Sequence, residues 1–540
     1  MRSFISTLVV AAVLFLGSFV PAAGQNVVGK VTCDGHGVKG VVVSDGVAVT
    51  ATDRYGRYSM ESDKYFGTIF ISVPGGYDVP SHGLIPCHFA RLTKPAGKCD
   101  TADFTLSKAV GNRFKLFVFA DLHLTGNAAV GDIRQMDSTF LPDIVENMKD
   151  TKGRKYAICL GDMTTDNKWY VDKFALPEYL DAMKSLPLPV YHIMGNHDND
   201  MRPGYDWSSV SDPDAFASEA YRKYIGPSYY SFNIGKFHFL MLDDIIAQGP
   251  SEDENGKVTY HFHYGLDSLQ LKWVERDMAF VSHGTPVIVC LHVPMHVNSD
   301  VIDGSVRVCR SQAEFVKSGE KPSGRMAKHE ADMSFDRLFE ILKPYGKVSI
   351  LSGHRHKTDN IVYEGTIEHN VASVSAVSWM LNGPESRIVC EDGTPGGYQI
   401  FEADGKNLKW VFKACGEDVP DSQMRVYDMN SVPSEYGGTS GNRILVNVFN
   451  WDPQWTVRVF EKGKELKTKQ VYAKDPLYSL IRKPRLPQRP KAFLPTKSVH
   501  MFEAFATTPD GEVEVVVTDR FGNVYRQELA RPAAFSWDMK

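Results

Sequence analysis

The sequence lacks most of the signatures that assign a chain quickly. No C-x-x-C pair occurs among its eight cysteines in 540 residues, which excludes zinc ribbons and thioredoxin-like redox sites. No H-E-x-x-H, G-x-S-x-G or P-loop is present, which removes zincin proteases, nucleophile-elbow hydrolases and P-loop NTPases. Basic charge is not in excess either. Lys and Arg number 60 against 65 Asp and Glu, a net charge of -5, so no global field draws in polymeric nucleic acid or an anionic membrane. Beyond residue 24 no apolar run approaches the ~20 residues that a bilayer span needs, so no transmembrane segment is expected in the mature chain.

What is present begins with a leader. Arg2 supplies a positive start, Leu8 to Leu16 is an unbroken apolar run, and Ala22-Ala23-Gly24 offers small residues for cleavage. Residues 1–24 therefore read as a secretory signal peptide, and the protein is expected to be exported to a bacterial periplasm, cell surface or medium. A retained membrane anchor is the competing reading, but Gly17-Ser18 interrupts the apolar run early. Export permits disulfides, yet Cys159 and Cys290 lie inside the apolar runs YAICL and VIVCL, where a free thiol behaves as a small hydrophobe. Full pairing of the cysteines is not expected.

With 43% hydrophobic and 23% charged residues, the chain can bury several cores, and its texture changes twice. Residues 25–108 are short alternating runs split by glycines, the pattern of a small antiparallel β-sandwich. Residues 112–385 alternate apolar strand runs (KLFVFA, YAICL, VYHIM, FHFLML, VIVCL, VSIL) with helical periodicity, as in Phe335, Leu338, Phe339 and Leu342. Such strands imply sheets covered on both faces, with an active site beyond their carboxyl ends. Residues 392–540 return to short strands, beginning with YQIFEA and LKWVFKA, and read as a second β domain. The stretch IRKPRLPQRPKAFLP within it reads as a stiff, solvated connecting loop.

The chemistry sits at the exits of the middle strands. FVFA runs into Asp121-Leu122-His123, YAICL into Gly161-Asp162, and VYHIM into Gly195-Asn196-His197-Asp198. VIVCL runs into His292, and VSIL into Gly353-His354-Arg355-His356. In an extended chain the i, i+2 spacing of Asp121/His123 and of His354/His356 puts both side chains on one side. Mixed oxygen and nitrogen donors suit divalent transition metals, with Asp162 free to bridge two ions. One His-x-His pair would be weak support, since isolated histidines are common; five such blocks in order, each at a strand exit, are far more specific.

These blocks resemble the D-x-H, G-D, G-N-H-[DE], H and G-H-x-H pattern of calcineurin-like metallophosphoesterases, over about 265 residues of the chain. The flanking segments resemble the N-terminal carboxypeptidase-regulatory-like or transthyretin-like domain and the C-terminal β domain of some bacterial members. The resemblance implies an α/β (α+β) metallophosphoesterase core, a β-sandwich with flanking helices, between two small all-β domains. It implies two divalent ions (Mn, Fe or Zn): one on Asp121, His123, Asp162 and His356, the other on Asp162, Asn196, His292 and His354. His197 would act as general acid or phosphate contact, with Asp198 orienting it. The implied activity is hydrolysis of a small phosphomonoester or phosphodiester by a metal-activated hydroxide attacking phosphorus in line. Asn167, His296 and Arg355 are candidate substrate contacts. Trp379 and Tyr264 read as packing residues.

Two departures narrow the resemblance. No phosphate-gripping Arg follows the G-D block, unlike protein Ser/Thr phosphatases, and Thr165 stands where purple acid phosphatases place a tyrosine. A different class of function also stays open, a non-catalytic surface or glycan-binding protein using the core as a scaffold. The filled set of seven donor positions speaks for the enzyme.

Overall fold

A computed structural model describes residues 24–95, 97–302, 304–309, 333–379, 389–483 and 494–539. The leader, apart from Gly24, and most of the proline-rich basic stretch lie outside these residues. Among those described, no helix is long and apolar enough to cross a membrane.

Two mixed sheets form the centre. The first has the order Val190–His192, Arg154–Cys159, Arg113–Phe119, Gly397–Asp404, Asn407–Ala414, its first three strands parallel and its last two antiparallel. The second has the order Tyr230–Ile234, Phe237–Met241, Val287–Cys290, Val348–Ser352, Thr366–Asn370, Asp359–Tyr363. Its four inner strands are parallel and both edge strands run antiparallel to their neighbours.

The alternation of side chains along a strand explains how the layers assemble. From Arg113–Phe119, Leu116 and Val118 point into a core shared with Phe239, Val289 and Ile350 of the second sheet. Phe117 and Phe119 point the other way, against Ile144 and Met148 of helix Phe140–Asp150 and Tyr179 of helix Leu176–Ala182. Helices Ser268–Met278 and Met333–Leu342 bring Trp273, Met278, Leu338 and Leu342 into the shared core. Each such side chain contributes about 1.5–3 kcal/mol relative to exposure. The result is a sandwich with flanking helices, every central strand covered on both faces.

The strands Gly397–Asp404 and Asn407–Ala414 correct the sequence reading that placed them in the C-terminal β domain. They complete the first core sheet, with Leu116 opposite Phe401 and Phe117 opposite Ile400. Alternation identifies them as strands but says nothing of which sheet they join. The remaining C-terminal strands form two four-stranded sheets, one built on Arg443–Val448 and Lys497–Phe505, the other on Thr456–Glu461 and Val513–Thr518.

The N-terminal segment makes two larger sheets and a two-stranded ribbon of its own, and its apolar residues Val43, Phe70 and Ile71 belong to the same core as the second central sheet. Val73 bridges in parallel to Phe232, the Trp273 indole donates to Ser44 Oγ at 3.1 Å, and the Tyr229 hydroxyl donates to the Gly46 carbonyl at 2.7 Å. Cys33, Cys87, Cys99, Cys159, Cys290, Cys390 and Cys415 are free thiols.

Candidate metal centre

Five parallel strands deliver their exits to one place. Three belong to the first sheet and end at Phe119, Cys159 and His192; two belong to the second and end at Cys290 and Ser352. Asp121, His123, Asp162, Asn196 and His197 thus arrive from one side, and His292, His354 and His356 from the other.

The side chains converge closely. Asp121, His123 and His356 each offer a donor atom within 4.8 Å of the others, as do Asp162, His292 and His354, and as do His123, Asp162 and His197. The Nε2 atoms of His123 and His356 are 2.8 Å apart, and His354 Nδ1 is 3.3 Å from His292 Nε2. Asp162 Oδ2 lies 3.5 Å from His123 Nε2 and 3.3 Å from His292 Nε2, so one carboxylate oxygen faces both groups.

The backbone carries strain to achieve this. Asp121, His123, Asp162, His354 and His356 all have left-handed backbones, with φ of 56°, 48°, 52°, 68° and 50°. Non-glycine residues rarely adopt that region, and clusters of such residues mark functional sites. The i, i+2 pairs therefore do not lie on extended chain as the sequence reading assumed; they turn their donors inward through consecutive tight turns. Gly161, at φ 86°, permits the turn before Asp162, and a Cβ on Gly195 would lie 2.2 Å from Asp162 Oδ1. Smallness at Gly195 is what lets the two loops touch.

Main-chain donors and neighbouring carboxylates hold the donors in place. His354 N–H donates to Asp121 at 3.0 Å and His197 N–H to Asp162 Oδ1 at 2.8 Å. His292 Nδ1 donates to the Leu160 carbonyl at 2.7 Å, which turns Nε2 toward Asp162. The amides of His292 and Val293 donate to the buried Asp244 carboxylate at 2.9 Å each.

Burial dominates the protonation of the site. It holds His123 and His354 well below the ordinary histidine range and His356 down at about 4, with neighbouring imidazoles adding to the effect. His292 goes the other way, to about 10, because the Asp162 carboxylate outweighs the burial that opposes it. Asp121 is pushed up by burial and by Asp162, while Asp162 is held down, against burial, by His292, His197 and His123. Without cations the site keeps one carboxylate charged only by protonating nearby imidazoles.

The donor set fits divalent metal ions. Neutral imidazoles with lone pairs turned toward each other and two carboxylates are a transition-metal set. Asn196 adds a buried Oδ1 that has no hydrogen-bond partner within the protein, an acceptor that a cation would satisfy.

Three family models match the chain: the N terminal of calcineurin-like phosphoesterase over residues 25–109, the calcineurin-like phosphoesterase over 114–358, and its C terminal over 368–525. The chain belongs to the calcineurin-like phosphoesterases. It is by that membership a metal-dependent phosphoric ester hydrolase. No curated protein matches it. Among solved structures, a purple acid phosphatase from yellow lupin seeds is 14% identical, with 71% of this chain and 68% of that chain covered and a TM-score of 0.35. GAP50 of Plasmodium, described as the anchor in the inner membrane complex, is 11% identical over 56% and 85%, at a TM-score of 0.31. The phosphopantetheinyl hydrolase of Mycobacterium tuberculosis is 12% identical over 49% and 91%, at 0.27.

Around the metal centre of this calcineurin-like phosphoesterase, two expected roles are corrected. Asp198 does not orient the His197 ring. Its carboxylate accepts the amides of Met163, Thr164 and Gly195 at 3.0–3.1 Å, knitting together the two loops that carry Asp162 and Asn196. The ring partner is Asp166, whose Oδ1 lies 2.7 Å from His197 Nδ1. Nothing in the spacing of GDMTTDN marks Asp166 out, since a short 3-10 turn over Asp166–Lys168 aims it back. His296 is buried away from the donor groups: its Nδ1 lies 2.7 Å from Glu368 Oε2, and its ring packs on Phe339 and Tyr363.

Asn167 is exposed beside Asp166 and belongs to none of the three donor groups. Arg355 is half-buried between the two histidines, near enough for its charge to lower His354 further. Trp379 is buried and its indole donates to the Leu122 carbonyl at 2.6 Å. Tyr264, read from the sequence as packing, sets its ring 5.3 Å from that of His354 at the end of the long hairpin Ile245–Glu252/Val258–Tyr264.

Proposed function

We propose that this calcineurin-like phosphoesterase is an exported hydrolase of small phosphoesters with a dinuclear centre. Asp121, His123, Asp162 and His356 would hold one divalent cation, and Asp162, Asn196, His292 and His354 the other, with Mn, Fe and Zn all compatible with the donors. Cations so held supply Lewis acidity toward a phosphoryl group and a hydroxide nucleophile at neutral pH. The observation that carries the reading is the position of Asp162 Oδ2, within 3.5 Å of a histidine nitrogen of each group, so that one carboxylate serves both.

The chain's own residues would do the rest. His197 is a third exposed at its side chain and keeps a proton readily: burial opposes it, yet Asp162 and then Asp166 raise it to about 9. With Nδ1 committed to Asp166, its Nε2 can hand a proton to the departing alkoxide. The positive charge of bound cations would bring His197 back toward neutrality, where an imidazole donates and recovers a proton most easily. Arg355, between the two loop histidines, and Asn167, exposed beside Asp166, would contact the phosphoryl oxygens or the leaving group. Export rests on the leader pattern of residues 1–24.

Purified mature protein loaded with Mn²⁺ should hydrolyse p-nitrophenyl phosphate or its bis ester, and Asp162→Asn should reduce turnover by orders of magnitude. Equal inertness of wild type and Asp162→Asn across a broad phosphoester panel, with metal loaded, would remove the proposal.

A further inference from the structure

We infer that the C-terminal β domain positions the His354-x-His356 ligand loop, and that His500 and Asp392 are the positioning residues. The inference rests on the dinuclear reading above. It starts from a buried polar chain that the catalytic chemistry does not use.

The loop leaves its strand at Ser352 and re-enters regular structure at Asp359. Between these points its downstream half is tied to the segment that leads into core strand Gly397–Asp404. The His356 carbonyl accepts the Glu391 amide at 3.3 Å, and the Thr358 amide donates to Asp392 Oδ2 at 2.9 Å. The Thr358 hydroxyl meets that of Thr394 at 3.0 Å and accepts the Asn450 amide at 3.4 Å. Asp392 in turn accepts from Thr394 N at 2.9 Å and from Thr394 Oγ1 at 3.0 Å.

The C-terminal domain closes this chain. His500, on strand Lys497–Phe505, sets Nε2 3.0 Å from Asp392 Oδ2 and Nδ1 2.7 Å from Asn447 Oδ1. The Asn447 amide nitrogen donates both to the Asp392 carbonyl, at 2.8 Å, and to Asp475 Oδ2, at 2.9 Å. Its orientation is therefore fixed, and its oxygen must accept. His500 then donates from Nδ1 to that oxygen and sets Nε2 against the Asp392 carboxylate, which ties the strand to the segment beside the ligand loop. Thr358, Asp392, Asn447, Asp475 and His500 are all buried.

Every member is satisfied by another, and each pins a neighbour's rotamer. Removing His500 takes a partner from the buried Asp392 carboxylate, which is unfavourable unless the carboxylate rearranges. Among the groups bonded to Asp392 is the amide of Thr358, two residues from His356. Outer partners of this kind typically matter 10- to 100-fold for metal affinity, about the size of effect expected here. A domain that were only appended would place no buried polar side chain against the segment that holds the ligand loop.

The test uses the full mature chain and Mn²⁺ titrated into metal-free protein by calorimetry. Wild type should bind two ions, which checks the dinuclear reading separately. His500→Ala should weaken the step assigned to the His356 group by about 10- to 100-fold and leave the other within a factor of about two. In metal-free protein, hydrogen exchange at the Thr358 amide should quicken while strands Arg113–Phe119 and Arg154–Cys159 keep their protection. His500→Gln, which can still donate to Asp392, should recover most of both signals; if the alanine variant fails to fold, the result is read from His500→Gln against His500→Leu. Two wild-type binding steps in a folded His500→Ala chain, or equal weakening of both steps, would overturn the inference.

Discussion

Asp166 Oδ1 lies 2.7 Å from Nδ1 of His197, while Asp198, the acid next to His197 in the chain, turns its carboxylate away to three backbone amides. Two neighbouring acids thus have separate duties, one toward the imidazole and one toward the loops that carry the donors.

The first duty predicts a leaving-group effect. Asp166→Asn and His197→Ala should lower kcat by about 100- to 10,000-fold on alkyl phosphoesters, the usual range for a positioned acid. The loss should be much smaller on p-nitrophenyl esters, whose phenolate departs without a proton. Rates across a series of leaving groups check this; a uniform loss would show that the pair does not deliver a proton.

The second duty predicts a stability effect. Asp198→Ala leaves the amides of Met163, Thr164 and Gly195 without their acceptor in a buried setting. Each unsatisfied donor costs about 1–3 kcal/mol. Urea unfolding of metal-free protein should therefore move to clearly lower midpoints for Asp198→Ala, whereas Asp166→Asn, a same-shape change that leaves no backbone amide without its acceptor, should stay nearer wild type.

Gly195→Ala probes the close approach of two loops. A Cβ there would lie 2.2 Å from Asp162 Oδ1 and 2.3 Å from its backbone nitrogen, so the carboxylate between the two groups must move. Displacements of about an ångström at a reacting centre can cost 100-fold in rate. Metal content by elemental analysis should fall together with activity, and far-UV dichroism should be unchanged.

Acid sensitivity has a contributor far from the metals. Glu461 is held down to about 2 by the Thr507 hydroxyl, ahead of the Thr507 and Thr508 amides and Arg531, with burial opposing. A depressed carboxyl stabilises the fold fully above its unfolded pKa, and that contribution fades as pH falls through the folded value. Urea midpoints should therefore drop between pH 4.5 and about 2 more steeply in wild type than in Glu461→Gln. Above pH 5 the variant should be the less stable of the two, and parallel curves would contradict the assignment.

Much of the centre was legible because the chemistry sits where strands end. Five apolar runs each led directly into Asp, Asn or His, and the structure brings six of those seven side chains, all but Asn196, into groups of converging donors. The geometry behind it was not legible. Left-handed backbones at Asp121, His123, Asp162, His354 and His356 depend on loops pressing together from two sheets, which no local pattern records. Asp166 escaped notice for the same reason: its aim at His197 is set by a 3-10 turn, and Asp198 was nearer in sequence. His296 looked like a loop residue until Glu368, 72 positions away, was found bonded to its ring. Strands Gly397–Asp404 and Asn407–Ala414 were recognisable as strands, but their partner Arg113–Phe119 lies nearly three hundred residues earlier.

The central claim is a dinuclear centre in which Asp162 is shared, and the metal content of wild type beside Asp162→Asn, measured with hydrolysis of bis-p-nitrophenyl phosphate on the same samples, tests it most directly. The account predicts about two Mn²⁺ per wild-type chain, activity abolished by chelation and restored by metal, and loss of both bound metal and turnover in the variant. A variant that keeps wild-type metal content and wild-type turnover would contradict it.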